Sequence, residues 1–261
     1  MNTVISKDGT KIAYDKLGEG PRLIYVLGAL CYRQFEPAVA DVHTFSKEFT
    51  VINYDRRGRG DSTDTLPYSV DREVEDIEAL IDANGGSAYL YGHSSGASLA
   101  LEAALRLDKK VLKLAMYEPP YNNSDEDQKG SVAYDKELKE LLDVGKRGEA
   151  VEHFMKLVGM PDEMINGVKQ SPSWSTLESL APTLAYDSAV SSYIVPTQKA
   201  SQIDMPALVM YGEESYGFMK LVAESLAKAF PHGQLHAFPG QGHNASSELV
   251  LPVLTDFFNK S

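Results

Sequence analysis

The sequence predicts an α/β protein: a mostly parallel sheet flanked by helices, interrupted by an inserted helical segment. Three observations predict it. Short apolar runs rich in β-branched and aromatic residues alternate with longer amphipathic stretches, the pattern of strands joined by crossover helices. The alternation stops at Pro119-Pro120 and resumes only at Met205-Pro206, with no strand-like run between them. A serine between two glycines, Gly92-His93-Ser94-Ser95-Gly96, stands where one apolar run ends and a helical stretch begins.

Taken in order, residues 3–6 and 11–16, separated by Asp8-Gly9, read as an antiparallel hairpin leading into the sheet. Residues 23–27, 50–54, 88–91, 111–117, 207–211 and 234–238 are the strands that follow. Val74, Ile77, Leu80 and Ile81 recur at helical spacing within 70–82, and 95–107 is rich in Ala and Leu, so both read as crossover helices. The core is expected over 1–120 and 203–261. Residues 121–202 are expected to form a helical cap, with helices over 132–144, 148–158 and 176–189 and with Pro161, Pro172 and Pro182 as punctuation. The acidic patch Ser124-Asp125-Glu126-Asp127 reads as a solvated loop at the cap entrance. Two helices, 218–229 and 244–259, complete the chain.

The 261 residues, 43% of them hydrophobic, suffice for a large buried core. A formal charge of −12 opposes nucleic acid or an anionic membrane surface as the main partner. The first nine residues are too polar for a signal peptide, and no apolar run is long enough to cross a bilayer. The expectation is a soluble cytoplasmic protein that meets a small-molecule substrate, with no membrane insertion; a homo-oligomer is compatible with it. Cys31, the one cysteine, excludes an internal disulfide and reads as a small buried hydrophobe beside Leu27-Gly28-Ala29-Leu30. Arg59-Gly60-Asp61 spells a cell-adhesion tripeptide by chance.

The chemistry centres on Ser94. A sharp strand-to-helix turn requires flanking positions without bulky side chains, lifts the serine hydroxyl clear of the sheet, and aims the first N–H groups of the following helix at the space beside it. A serine needs a base, and the base needs an acid to orient it. Of six histidines, His243 is the strongest candidate, because Pro239-Gly240-Gln241-Gly242-His243 is a glycine-rich loop between the last strand and the terminal helix. His93 is expected to pack inward or brace the turn, and His43 and His153 to sit on helix faces. A metal site at His232 and His236 is disfavoured by the adjoining strand, and no cofactor is expected.

The chain resembles the α/β-hydrolase fold family over nearly its whole length. The carriers are the Gly92 to Gly96 elbow, the Asp55-Arg56-Arg57-Gly58-Arg59-Gly60-Asp61-Ser62 turn, the strand around 206–212, and Gly240-Gln241-Gly242-His243. The resemblance implies a serine nucleophile at Ser94 and a histidine at His243, with the acid between them in chain order. Relatives with a carboxylate nucleophile, haloalkane dehalogenases and epoxide hydrolases, carry Asp where this chain has Ser94, which disfavours those activities. The family's usual acid position is occupied by Ser215, which cannot offset an imidazolium charge. Glu118, at the end of the 111–117 strand, is the favoured acid, since some dehalogenases place theirs after that strand; Glu214 or Glu213 is the alternative. The oxyanion donors implied are the backbone N–H groups of Ser95 and of Ala29, with Leu30 as the fallback. The charged residues of the 55–62 turn brace one another and receive no chemical role.

The function expected is a cofactor-independent serine hydrolase acting on an ester, lactone or thioester of a small, mostly apolar substrate through an acyl-enzyme on Ser94. Carbon–carbon hydrolysis, perhydrolysis and acyl transfer use the same residues. A non-catalytic small-molecule binder or sensor on the same fold is the rival from another class. Tyr121, Trp174, Tyr186, Tyr193, Phe218 and Met219 are candidates to line an apolar pocket.

Overall fold

In the computed structural model, which describes residues 1–260, the chain opens with a hairpin of β1 (Asn2–Ile5) and β2 (Lys11–Leu17) and then alternates. In order come β3 (Arg22–Val26), α1 (Glu36–Phe45), β4 (Thr50–Tyr54), α2 (Val70–Ala83), β5 (Ala88–His93), α3 (Ser95–Leu107) and β6 (Val111–Tyr117). A run of helices follows: α4 (Asp125–Asp143), α5 (Arg147–Leu157), α6 (Asp162–Lys169), α7 (Trp174–Leu180), α8 (Leu184–Ser191) and α9 (Thr197–Ala200). The alternation returns with β7 (Ala207–Gly212), α10 (Gly217–Ala229), β8 (Gly233–Phe238) and α11 (Ser247–Asn259).

The strands form one sheet in the order β1-β2-β4-β3-β5-β6-β7-β8. β1, β2 and β4 pair antiparallel and every later pairing is parallel. The parallel strands are apolar on both faces, as a sheet covered on both sides requires. Ile24, Val26, Ile52, Leu90, Met116 and Val209 face α2, α3 and α10. Leu23, Tyr25, Val51, Tyr91, Ala115 and Leu208 face α1 and α11. Tyr134, Leu138, Val151, Met155, Ile165 and Leu184 make a third cluster within the helical run, and Leu30, from the loop after β3, packs into it. The strand order reverses at β3, whose successors in the chain lie on opposite sides of it, and this opens a crevice at the carboxyl ends of β3 and β5.

Three expectations about local structure are corrected. Ser124 to Asp127 is no loop: Ser124 caps α4, its Oγ accepting the Asp127 N–H at 3.1 Å, and the three acids occupy the first turn, where the helix dipole favours them. The single helix expected over 176–189 is split by a 3₁₀ turn, Ala181–Thr183, because Pro182 supplies no N–H to continue α7. The terminal helix starts at Ser247, since residues 244–246 continue the histidine loop, the Ser246 N–H donating to Gln241 Oε1 at 3.2 Å. α6 went unread in the sequence; its start is marked by Pro161 followed by Asp162 and Glu163.

Candidate active site

β5 delivers Ser94 on a turn that only small neighbours allow. Ser94 takes φ 56°, a conformation that costs a non-glycine residue about 1–3 kcal/mol. It is held there by its N–H donating to Tyr117 O at 2.9 Å and by its carbonyl accepting from Ala97 N–H at 2.8 Å. A Cβ on Gly92 would stand 2.5 Å from Ala97 Cα, and one on Gly96 would stand 2.1 Å from Val26 O. These glycines are therefore the steric condition for the turn. Gly28 closes the other side: a Cβ there would lie 3.0 Å from Ser94 Cβ and 3.6 Å from Ser94 Oγ.

β6 delivers Glu118, which also takes a positive φ, 47°, and whose N–H donates to Met210 O. Its side chain is fully buried. Oε1 accepts the Gly212 N–H at 2.8 Å; Oε2 accepts the Ser215 hydroxyl at 2.7 Å and His243 Nδ1 at 2.6 Å. Burial alone pushes this carboxyl up, but His243, the Gly212 amide and the Ser215 hydroxyl outweigh it and hold the group below its ordinary value. A carboxylate can only accept, so His243 carries its proton on Nδ1 and leaves a lone pair on Nε2.

The loop bearing His243 is clamped from three directions. Tyr117 Oη donates to Gly242 O at 2.6 Å, His93 Nε2 donates to His243 O at 2.8 Å, and the Glu214 N–H donates to Gln241 O at 2.9 Å. His93 thus braces the histidine loop, with its ring 5.7 Å from that of Tyr117. Burial, then the neighbouring His243, pushes the His93 imidazole down to about 4, so it stays neutral at pH 7.

Ser94, His243, Ala29 and Ser95 line one cavity of about 690 Å3. Of the aromatic and sulfur side chains expected there, Tyr121, Phe218 and Met219 line it and three others do not. Tyr186 stacks on Tyr68 and donates to Asp64, Tyr193 donates to Glu102, and Trp174 lies on a separate surface depression. The alternative acids Glu213 and Glu214 are exposed, while Glu118 is the carboxylate against His243. Cys31 lies at the cavity wall, and burial raises its thiol to about 11, which keeps it protonated.

Sequence reasoning missed Asp187. This buried residue of α8 accepts from Arg56 Nη1 at 2.6 Å, from Arg59 Nη2 at 2.8 Å and from Ser95 Oγ at 2.7 Å. A signal was available: Asp187 is the one charged residue between Glu178 and Lys199. The turn arginines divide. Arg57 pairs with Asp76 and Asp8, Arg56 with Glu73 and Asp187, and Arg59 with Asp187 and with Gly28 O.

A family model described as the alpha/beta hydrolase family matches residues 25–251. A crystal structure of an alpha/beta hydrolase from Sphaerobacter thermophilus DSM 20745 is 40% identical, with TM-score 0.88 over 99% of this chain and 100% of that one. A thermophilic esterase from Thermogutta terrifontis shares the fold at 20% identity, with TM-score 0.70 over 98% and 95% of the two chains. RutD of Cronobacter turicensis, named as a candidate carbamate hydrolase, is 31% identical over 81 residues, and the match spans only 30% of either chain.

Proposed function

From the chain's membership of the alpha/beta hydrolase family, we propose that it is a serine hydrolase that cleaves an ester-type bond through an acyl-enzyme on Ser94. The observation that carries the reading is the 2.6 Å contact between His243 Nδ1 and the buried Glu118 carboxylate, in a loop that shares a cavity with Ser94. With Nδ1 protonated, Nε2 is the free base. It takes the Ser94 proton as Oγ attacks the acyl carbonyl, and Glu118 offsets the imidazolium charge that forms. The Ala29 and Ser95 N–H groups receive the oxyanion. Collapse of the tetrahedral adduct breaks the bond to the alcohol oxygen, which leaves with the proton from Nε2. Water then gives a proton to Nε2 and attacks the acyl carbon; collapse of this second adduct breaks the bond to Ser94 Oγ, which takes the proton back from Nε2 as the acid leaves.

Residues 121–202 act as the cap in this reading. They supply apolar walls through Phe154, Leu157, Met160, Met164 and Leu184, facing Phe218 and Met219 from the core. Such walls suit a small, mostly apolar acyl or alcohol group. The test is labelling with a fluorophosphonate: stoichiometric reaction, lost in Ser94→Ala, together with turnover of p-nitrophenyl esters. A folded protein that neither labels nor turns over esters, lactones or thioesters overturns the reading and leaves a non-catalytic binder.

A further inference from the structure

We propose that Arg59 and Asp187 form a buried positioning pair that aims both oxyanion donors, the Ala29 and Ser95 N–H groups, at the carbonyl undergoing attack. The proposal rests on Ser94 being the acylated nucleophile. It begins from one peptide unit. The Gly28 carbonyl and the Ala29 N–H belong to the same trans peptide, and so point in opposite directions. Arg59 Nη1 donates to Gly28 O at 2.6 Å and to Cys31 O at 3.3 Å, spanning the loop in which Leu30 holds a positive φ of 55°. Fixing that carbonyl fixes the N–H on the far side of the same plane, in a loop whose Gly28 lies against Ser94. A guanidinium on the carbonyl also polarises the peptide and strengthens its N–H as a donor.

Asp187 ties this arrangement to the second donor. Its carboxylate takes two contacts from Arg59 Nη2, at 2.9 and 2.8 Å, and its Oδ1 also accepts the Ser95 hydroxyl at 2.7 Å. Ser95 is the first residue of α3, where the backbone N–H has no partner within the helix. Arg56 joins Asp187 to Glu73, so two cations and two carboxylates close a neutral buried cluster. Burying such charges carries a heavy desolvation cost, and a purely architectural link between α8 and the turn could be made by apolar side chains. What an apolar link cannot do is hold Gly28 O and Ser95 Oγ at hydrogen-bonding distance. Arg57 provides the contrast: it is equally buried and ion-paired in the same turn, yet its partners are Asp76, Asp8 and Arg72 O, none of them in the cavity wall. Since Asp187 lies on α8, the seating of the helical run on the core and the alignment of the donors are one event.

The experiment compares Arg59→Lys with Arg57→Lys in the full chain, measuring kcat and KM on a p-nitrophenyl ester, the inhibition constant of an aryl boronate that mimics the tetrahedral adduct, and the melting temperature. Loss of a whole oxyanion donor costs about 10²–10³-fold in kcat, so a misaimed donor is expected to cost about 10–100-fold. The expected result for Arg59→Lys is that loss in kcat, a matching loss of boronate affinity, and a KM within about threefold of wild type. Arg57→Lys should melt earlier while its kcat per folded molecule stays unchanged. The proposal is overturned if Arg59→Lys retains wild-type kcat and boronate affinity, or if both variants lose activity only in proportion to unfolded protein. Should Arg59→Lys fail to fold, Asp187→Asn takes its place under the same criteria. A wild-type protein that neither hydrolyses the ester nor labels with phosphonate defeats the underlying reading, whereas an active wild type with an indifferent Arg59→Lys defeats the positioning pair alone.

Discussion

Replacing Glu118 by Gln separates orientation of the histidine from construction of the fold, because the structure lets the amide satisfy every neighbour except one. The retained oxygen still accepts the Gly212 N–H, now bound to Oε1 at 2.8 Å. The new NH2 then replaces Oε2, which receives the Ser215 hydroxyl at 2.7 Å and His243 Nδ1 at 2.6 Å. A hydroxyl rotates and can accept instead of donate. The imidazole has no such freedom. It must surrender its Nδ1 proton to accept from the amide, which moves the proton to Nε2 and removes the lone pair that would take the Ser94 proton. Flipping the amide is no remedy, since it sets a donor against the Gly212 N–H in a fully buried position. A wrong tautomer of this kind is worth about 10⁴-fold in kcat, or about 5.5 kcal/mol of transition-state stabilisation. Exchanging charge-assisted bonds for neutral ones should cost only about 1–2 kcal/mol of stability. For a chain of this size that lowers the melting temperature by a few degrees. The assay is kcat on a p-nitrophenyl ester beside a thermal melt of the same preparation. A folded Glu118→Gln whose kcat stays within about tenfold of wild type contradicts Glu118 as the orienting acid, as does a large loss in Glu214→Gln.

The other expectations are more local. Gly96→Ala places a Cβ 2.1 Å from Val26 O and 2.7 Å from Leu27 O, so it should destabilise by at least about 1–3 kcal/mol and remove ester turnover; a wild-type melt contradicts it. Ser215→Ala removes one of three donors to Glu118 and should lower kcat by about tenfold or less while KM holds, corresponding to loss of one hydrogen bond of about 1 kcal/mol. His93 is held neutral with its value near 4, against about 6.5 when unfolded, so the unfolded chain binds the extra proton between those values and stability falls as pH drops from 6.5 to 4. At about 1.4 kcal/mol per pH unit the loss is at most about 3.5 kcal/mol, and urea melts at pH 7 and pH 4.5 should differ less in His93→Asn than in wild type.

The elements legible in the sequence are those whose cause is local. β4, β6 and α3 fall at the predicted residues because a short, largely continuous apolar run and an Ala/Leu-rich stretch opened by a tight turn need no distant partner to be recognised. Gly92 and Gly96 announce the elbow for the same reason: their missing side chains answer clashes with the next turn of chain and with β3. Where proline and polar caps compete with helical periodicity, as at Pro182 and Ser124, helix boundaries are not legible in the sequence, since the outcome depends on which neighbours receive the freed backbone groups. Trp174, Tyr186 and Tyr193 went to other sites because an aromatic side chain carries no mark of the cavity it will fill.

The parallel α/β architecture, the strained serine turn and the glycine-rich histidine loop follow from the order of residues alone, because apolar runs and steric allowance are written in adjacent residues. The meeting of Glu118 with His243 across 125 positions of chain, and of Asp187 with Arg59 across 128, comes from the packing of the folded chain. A buried ion pair is defined by what it faces. Its partners are chosen by the register of β5, β6 and β7 and by the seating of α8 on the core, and neither leaves a trace in the local pattern of residues.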